Sequence, residues 1–408
     1  MRPIPWLASL ALGLALPAFA ADINVTTTAD GNDVMPGDGV CNDGTAQCTL
    51  RAAIQTANLL AGPDDVILPA GLLELSLRRD TDLPDPQTGD LDVTSDITVV
   101  GAGNATPCEG VGCTCIDGKG GKDRIFDVAV GGTLRLEQLI VKNGKAAKGD
   151  LNPVQFEEIS GGCIRVAGML ETEDVVIQRC SSPDDGGCIG FIDGSTGSLE
   201  KTFIDGCKTK DAGGGIEVDA SDVDLDQVTI RGGKASDEGG AVELSGGTLD
   251  VANGTFSGNS AGEGGGIEAE SGAIVTLNNS TFVNNKAKDG AAIRNDGNSA
   301  SIEISNSLLR TGSKENNCGG SITSEGGNLE NGVLCNFSFG AGDCPDCDPG
   351  VVEELADNGG PVPTHALDFD SQAISLGQNA SCEATDARGA ARVGNCDAGS
   401  FEFGGVVP

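Results

Sequence analysis

Gly264–Asn285 reads GGGIEAESGAIVTLNNSTFVNN, and one block earlier Gly239–Asn259 reads GGAVELSGGTLDVANGTFSGN. The same phrase has returned at nearly fixed spacing. Aligned on the apolar residue after the glycines, the copies fall at Ile164, Ile189, Ile216, Val242, Ile267 and Ile293, in steps of 25, 27, 26, 25 and 26. A second column runs Ile177, Phe203, Ile230, Phe256, Phe282 and Leu308, in steps of 26, 27, 26, 26 and 26. A third holds Leu170, Val223, Leu249, Val275 and Ile302, interrupted in the coil where Thr196 falls. Three columns in register over six units make this a repeat protein before any other feature is read.

Within each unit apolar residues alternate. Val242 and Leu244 point one way and Glu243 the other; IVTL and STFVN alternate likewise. Period two means strands, and the Gly and Asn clusters between them mean turns. Short strands in a unit of about 26 residues cannot bury a face alone, but stacked units can, with parallel strands about 4.8 Å apart. The pattern predicts an all-β, right-handed parallel β-helix. It extends upstream through DRIFDVAVGGTLRLEQLIVKNG, with Ile140 in the second column and Asn143 in the turn. The step from Ile140 to Ile177 is 37, so about eleven residues around GDLNPVQFEEIS are expected to loop off the helix.

The chain has 408 residues, 63 of them Gly, with 3% aromatics, no Tyr and a net charge of -36. Residues 1–20 read as a signal peptide: Arg2 is the basic start, Ile4 to Leu16 is mostly apolar, and Ala18-Phe19-Ala20 fits an A-x-A cleavage site. The run is too short to span a bilayer, and no later run is apolar enough. The expected divisions are 1–20 signal peptide, 21–62 N-terminal cap, 63–345 β-helix and 346–408 C-terminal capping segment. Strong acidity disfavours nucleic acid and anionic lipid as partners.

A β-helix leaves strand edges open at both ends, and bare edges invite aggregation. Leu50, Ala53, Ile54 and Ala57 form an i, i+3, i+4 face, so Thr49 to Leu60 is expected to be an amphipathic helix plugging the N-terminal end. DPGVVEELADNGG offers a similar short helix near the other end.

These residues carry a resemblance. Gly-Gly-x-Ile paired with FSGN (Phe256 to Asn259) or FVNN (Phe282 to Asn285) resembles the polymorphic outer membrane protein repeat of chlamydial adhesins. CTLRAAIQTAN, Cys48 to Asn58, looks like the Cys-Ser-Leu-Arg-Glu-Ala motif that opens many secreted bacterial β-helix proteins, departing at Thr49 and Ala52. DNGGPVPTHAL, Asp357 to Leu367, with DARGAARVGNCDAGSFE, Asp386 to Glu402, resembles the choice-of-anchor segment that ends such proteins. The resemblance implies a bacterial cell-surface or secreted protein of pectin-lyase-like fold. With no barrel or sorting motif after FEFGGVVP, release or loose association is expected rather than anchoring.

Fifteen Cys in an exported chain point to disulfides and leave at least one thiol over. Cys163 and Cys188, 25 apart, and Cys180 and Cys207, 27 apart, are expected to staple adjacent coils. Cys41–Cys48 should brace the helix and Cys382–Cys396 the tail; CPDC (Cys344 to Cys347) reads as a structural disulfide rather than a redox or metal motif.

Glu217, Glu243 and Glu268 each follow a first-column residue and point outward from one sheet, in steps of 26 and 25. Stacked carboxylates repel unless solvated or bridged by a cation. Either they fan apart into water, or they bind a hard cation such as calcium; no other cofactor is expected. The enzymatic alternative is a polysaccharide lyase or glycoside hydrolase using Glu243 and Glu268, since two carboxylates about 5 Å apart suit a retaining glycosidase. Against it, the only His is His365, in PTHAL, and no Trp or Tyr remains after Trp6 to stack on a sugar. Asn143, Asn259 and Asn285 are expected to form side-chain ladders at turns. The favoured reading is a non-catalytic, adhesin-like interaction scaffold, its partner a carbohydrate or a protein on a host or neighbouring cell.

Overall fold

The computed structural model describes residues 20–78, 87–105, 108, 112–119, 123–146, 159–312, 316–352 and 354–408. Residues 1–19 of the expected signal peptide, and the segment at Asp150 to Glu158 expected to loop off the helix, lie outside the described residues. The rest is a right-handed parallel β-helix. Each full coil gives one strand to a nine-stranded sheet and two, separated by a bend, to a nineteen-stranded sheet. In one coil these are Ile267–Glu270, Ile274–Asn278 and Thr281–Val283. Every strand pairing is parallel and links neighbouring coils, as in Val242↔Ile267↔Ile293.

The first column is continuous from Leu91 through Phe126, Ile164 and Ile293 to Cys318. In the second, Phe256 and Phe282 stack with ring centroids 4.6 Å apart. Three members of that column shift by one. Ile177 pairs with Ile204, not Phe203; Phe282 pairs with Leu309, not Leu308; and Val141, not Ile140, precedes Ile177. Hydrophobic size misled the alignment, because the pleat decides which residue of an apolar pair faces in. Phe203 faces out beneath the Arg231 guanidinium, 5.1 Å from its ring centroid. The third column has no gap: Gly197, not Thr196, pairs with Leu170 and Val223. A Cβ on Gly197 would lie 2.5 Å from Cε1 of Phe191, whose ring fills the space a side chain would take.

The N-terminal end is plugged by α1 (Leu50–Ala57), capped by the Thr49 side chain accepting from the Ala52 N–H. Leu50, Ala53, Ile54 and Ala57 all enter the core. Arg51 is 1% exposed; it pairs with Asp30 at 2.9 Å and donates to the carbonyls of Gly89 and Asp90 at 2.8 and 2.9 Å. The arginine of the CTLRAA motif therefore pins the plug to the first coils.

DPGVVEELADNGG forms no helix among its described residues. Val351 bridges Leu367 and Ala356 bridges Thr364, both antiparallel. Valine pairs favour extended chain, and NGGP supplies the turn. This hairpin and the tail lie on the outer face of the larger sheet. Leu367, Ala398 and Phe401 bury Val283, Leu308 and Leu329, and Thr229 Oγ1 donates to the Pro363 carbonyl at 2.7 Å. His365 is structural: Nδ1–H donates to the Val352 carbonyl and Nε2 accepts from Ser257 Oγ–H, both at 2.9 Å. Within DARG, Asp386 accepts from the Arg388 side chain and from the backbone N–H groups of Arg388, Ala390 and Glu402.

Among the described residues there are seven disulfides, and Cys115 is a buried free thiol. That density is typical of extracellular proteins. Cys41–Cys48, Cys344–Cys347 and Cys382–Cys396 pair as expected. The two expected staples do not form. Cys163 pairs with Cys180, and Cys188 with Cys207, at Cα separations of 5.4 and 5.5 Å. Each bond closes one coil across its interior. Stacked neighbours are near enough to bond, but their Cβ vectors run parallel, whereas residues facing each other across a coil converge. Cys108–Cys113 and Cys318–Cys335 complete the set. No described helix is long and apolar enough to cross a membrane.

Candidate functional site

The repeated phrase is six residues long, and its two ends build one site. Glu238-Gly239-Gly240-Ala241-Val242-Glu243 and Glu263-Gly264-Gly265-Gly266-Ile267-Glu268 each start and finish with a carboxylate. Gly239 and Gly264 adopt φ of +59° and +56°. This left-handed turn lays the loop on the outer side of the strand that follows. A Cβ on Gly239 would lie 2.6 Å from Cβ of Glu243, so only glycine permits the approach. The loop carboxylates stack in turn: Glu238 bridges Glu263, and Glu263 bridges Asp289.

Glu217, Glu243 and Glu268 are in register on adjacent strands, as the spacing predicts. They are not solvated side chains fanning apart, however. They are 4, 4 and 0% exposed, beneath the loop column. The column runs on in register to Arg294 at one end, and through Gly190 to Arg165 and Asp127 at the other. Ser160 Oγ crosses above Gly190 and donates to Glu217 Oε2. Arg294 pairs with Glu268, with Glu263 and Asp296 at 2.8 Å, and with Asp289 at 3.4 Å.

Between these ends the carboxyl groups of the column crowd one another. Burial, then Glu217, Glu270, Asp185 and Glu238, push Glu243 well above the usual carboxylate range. Burial, then Glu238, raise Glu268 to about 8 against the pull of Arg294. Glu268 Oε2 is buried with no hydrogen-bond partner among the described residues. Glu238, Glu263 and Glu268 each bring a carboxylate oxygen within 4.8 Å of the others. Such a cluster has two chemical solutions: share protons, or take up a hard cation with oxygen ligands. A second group, Asp184, Asp185 and Asp211, lies on the same side, with Asp185 Oδ1 accepting from the Ala212 N–H at 2.8 Å.

Glu243 and Glu268, the pair named for the enzymatic alternative, are in register on adjacent strands and 4 and 0% exposed. The turn ladder forms at two of three expected positions. Asn259 donates through Nδ2 to Asn285 Oδ1 at 3.0 Å, and both are buried. Asn143 instead takes a turn position with φ of +62° and donates to Asp117. Two of the cysteines and these asparagines share one position after the second column: Cys180 and Cys207 stand where Asn259 and Asn285 stand in later coils.

Glu238, Glu263 and Asp289 are not among the residues the sequence reading points to, although each is the acidic residue just before a positive-φ glycine, Gly239, Gly264 and Gly290. Compared with protein-family models, with curated proteins and with solved structures, the chain matches none.

Proposed function

We propose that the chain is an exported bacterial surface or extracellular scaffold, non-catalytic and adhesin-like, whose buried acidic column binds a divalent cation of the calcium class. The observation that carries the cation reading is Glu268 Oε2, buried and unpartnered beside Glu238 and Glu263. A calcium ion takes six to eight oxygen ligands, carboxylates among them, and would stand where the column has no cation of its own. Arg294 already plays that part at one end. The disulfide density and the leader-like residues 1–20 support export. The resemblance of the repeat to chlamydial surface repeats, and of the CTLRAA and DARG segments to the ends of secreted β-helix proteins, supports the surface role. In this reading the cation locks the glycine loops onto the sheet and fixes the face that a partner meets.

The test is thermal unfolding of the chain beginning at Ala21, with calcium and with chelator. A calcium-dependent rise in midpoint, lost in a Glu217→Gln, Glu243→Gln, Glu268→Gln triple variant, is the expected result. An unchanged midpoint in the native sequence would overturn the cation reading. Oligosaccharide cleavage abolished by Glu243→Ala would overturn the non-catalytic one.

A further inference from the structure

The third core column holds one charged residue. Running back from Leu170, it passes Leu134 and Ile97 and reaches Asp64, which is 0% exposed. Asp64 opens β2 (Asp64–Ile67), which pairs in parallel with β1 (Asp22–Asn24). The register Asp22↔Asp65 places Ala21 on the rung beyond Asp64. There the Ala21 N–H donates to Asp64 Oδ1 at 3.0 Å, and the Ala21 carbonyl accepts from the Asp65 N–H at 2.9 Å. Asp64 Oδ2 is buried with no hydrogen-bond partner among the described residues. A lone carboxylate in an apolar column, holding one amide hydrogen bond, is an unfavourable arrangement. Burial, and behind it the Asp65 and Asp96 carboxylates, raise its pKa. Asp96 is itself paired with Arg135, and among the described residues no ion pair is formed by Asp64.

Ala20 and Ala21 are also where the sequence places the leader cleavage, after Ala18-Phe19-Ala20. Ala20 is exposed and Ala21 half-buried, so the bond between them lies at the surface. We infer that Asp64 is a receptor for the α-ammonium group created when the leader is cut between Ala20 and Ala21, so that processing completes the first rung of the core. The step is a hydrolysis. Water adds across the Ala20 carbonyl carbon, the C–N bond breaks, Ala20 leaves as a carboxylate, and Ala21 keeps its nitrogen as an ammonium. One amide donor becomes three ammonium donors at the same atom. That suffices to serve Oδ2 as well as Oδ1, and it turns a buried carboxylate into half of an ion pair. The uncut chain can form the β-helix, but there the Asp64 carboxyl holds only the single Ala21 amide N–H.

This inference rests on the export reading for the cut and on geometry alone for the docking, and its test separates the two. The intact mass of the protein recovered from the culture medium of a host exporting the full chain reports the cut: a chain beginning at Ala21 is expected, and any other first residue overturns the assignment. Docking is tested on chains made to begin at Ala21 or at Ala20, each with Asp64 and with Asp64→Asn, by urea midpoint. The added Ala20 is expected to lower the midpoint with Asp64 and to leave it unchanged with Asp64→Asn; equal shifts in both backgrounds overturn the proposal. Should Asp64→Asn not fold, the acylation rate of the Ala21 amine by an activated ester decides in the native sequence. A docked ammonium should react about tenfold more slowly than the same amine in urea, as a one-unit rise in amine pKa requires. Equal rates overturn the docking.

Discussion

Two stretches of one outward column solve the same electrostatic problem differently. In the first coils, Asp92 and Asp127 stack in register, with Asp90 and Asp123 beside them. Arginines are interleaved: Arg124 reaches Asp90 at 3.6 Å and Asp127 at 3.4 Å, and Arg165 pairs with Asp127 at 3.1 Å. In the later coils, Glu217, Glu243 and Glu268 stack in the same way, with Glu238 and Glu263 alongside, and Arg294 joins them at the far end. The first stretch interleaves arginines with its carboxylates; in the second, Arg294 pairs with Glu268 at the far end, and the proposed cation would serve the glutamates beside it.

Removing a cation from the compensated stretch should have the largest effect. Arg124, 3% exposed, also donates to the Ser160 carbonyl. Arg124→Met strands buried carboxylates and should cost about 3–5 kcal/mol in urea unfolding. Next comes Asp127→Asn, which takes a partner from both arginines and should cost about 1–3 kcal/mol. The matching change in the other stretch, Glu243→Gln, should behave oppositely. With chelator it should be neutral or stabilising by about 1 kcal/mol, because it removes a buried carboxyl group that Glu217 and Glu270 crowd. Equal losses for Asp127→Asn and Glu243→Gln would break the comparison.

The smallest effect is the pH profile in chelator, and it separates the stretches by window. Burial, then Asp127 and Asp123, raise Asp92 to about 6, whereas Glu268 rises to about 8. A raised carboxyl binds more protons in the folded chain than in the unfolded one. Its contribution is therefore complete below the unfolded pKa and is lost as pH rises through the folded one. Through Asp92 the midpoint should fall as pH rises through about 6, and through Glu268 as it rises through about 8; Asp90, pushed well above the carboxylate range by burial, Asp123 and Asp127, adds to the loss in the first stretch. Calcium should abolish the part that Glu268 contributes.

The repeat spacing made the fold legible because each core column is written at one residue per coil. What it could not write was parity at apolar pairs. Phe203-Ile204 and Leu308-Leu309 each offer two hydrophobic residues, and the tail that covers Leu308 lies far away in sequence. The same limit governs the cysteines, where spacing of one coil shows proximity along the stack but not convergence across a coil. For the site, the strand glutamates were legible from their register. Their burial was not, because it comes from the φ of Gly239 and Gly264 folding Glu238 and Glu263 over them. The C-terminal hairpin was hidden by glutamates and a leucine that read equally well as a helix turn.

The measurement that tests the central claim most directly is diffraction from crystals of the Ala21-initiated chain grown with calcium. The expected result is an anomalous peak held by oxygens of Glu238, Glu263 and Glu268 at about 2.3–2.6 Å. Carboxyl groups hydrogen-bonded to one another around Glu243 and Glu268, with no peak between them, would show that protons alone neutralise the column and would contradict the account.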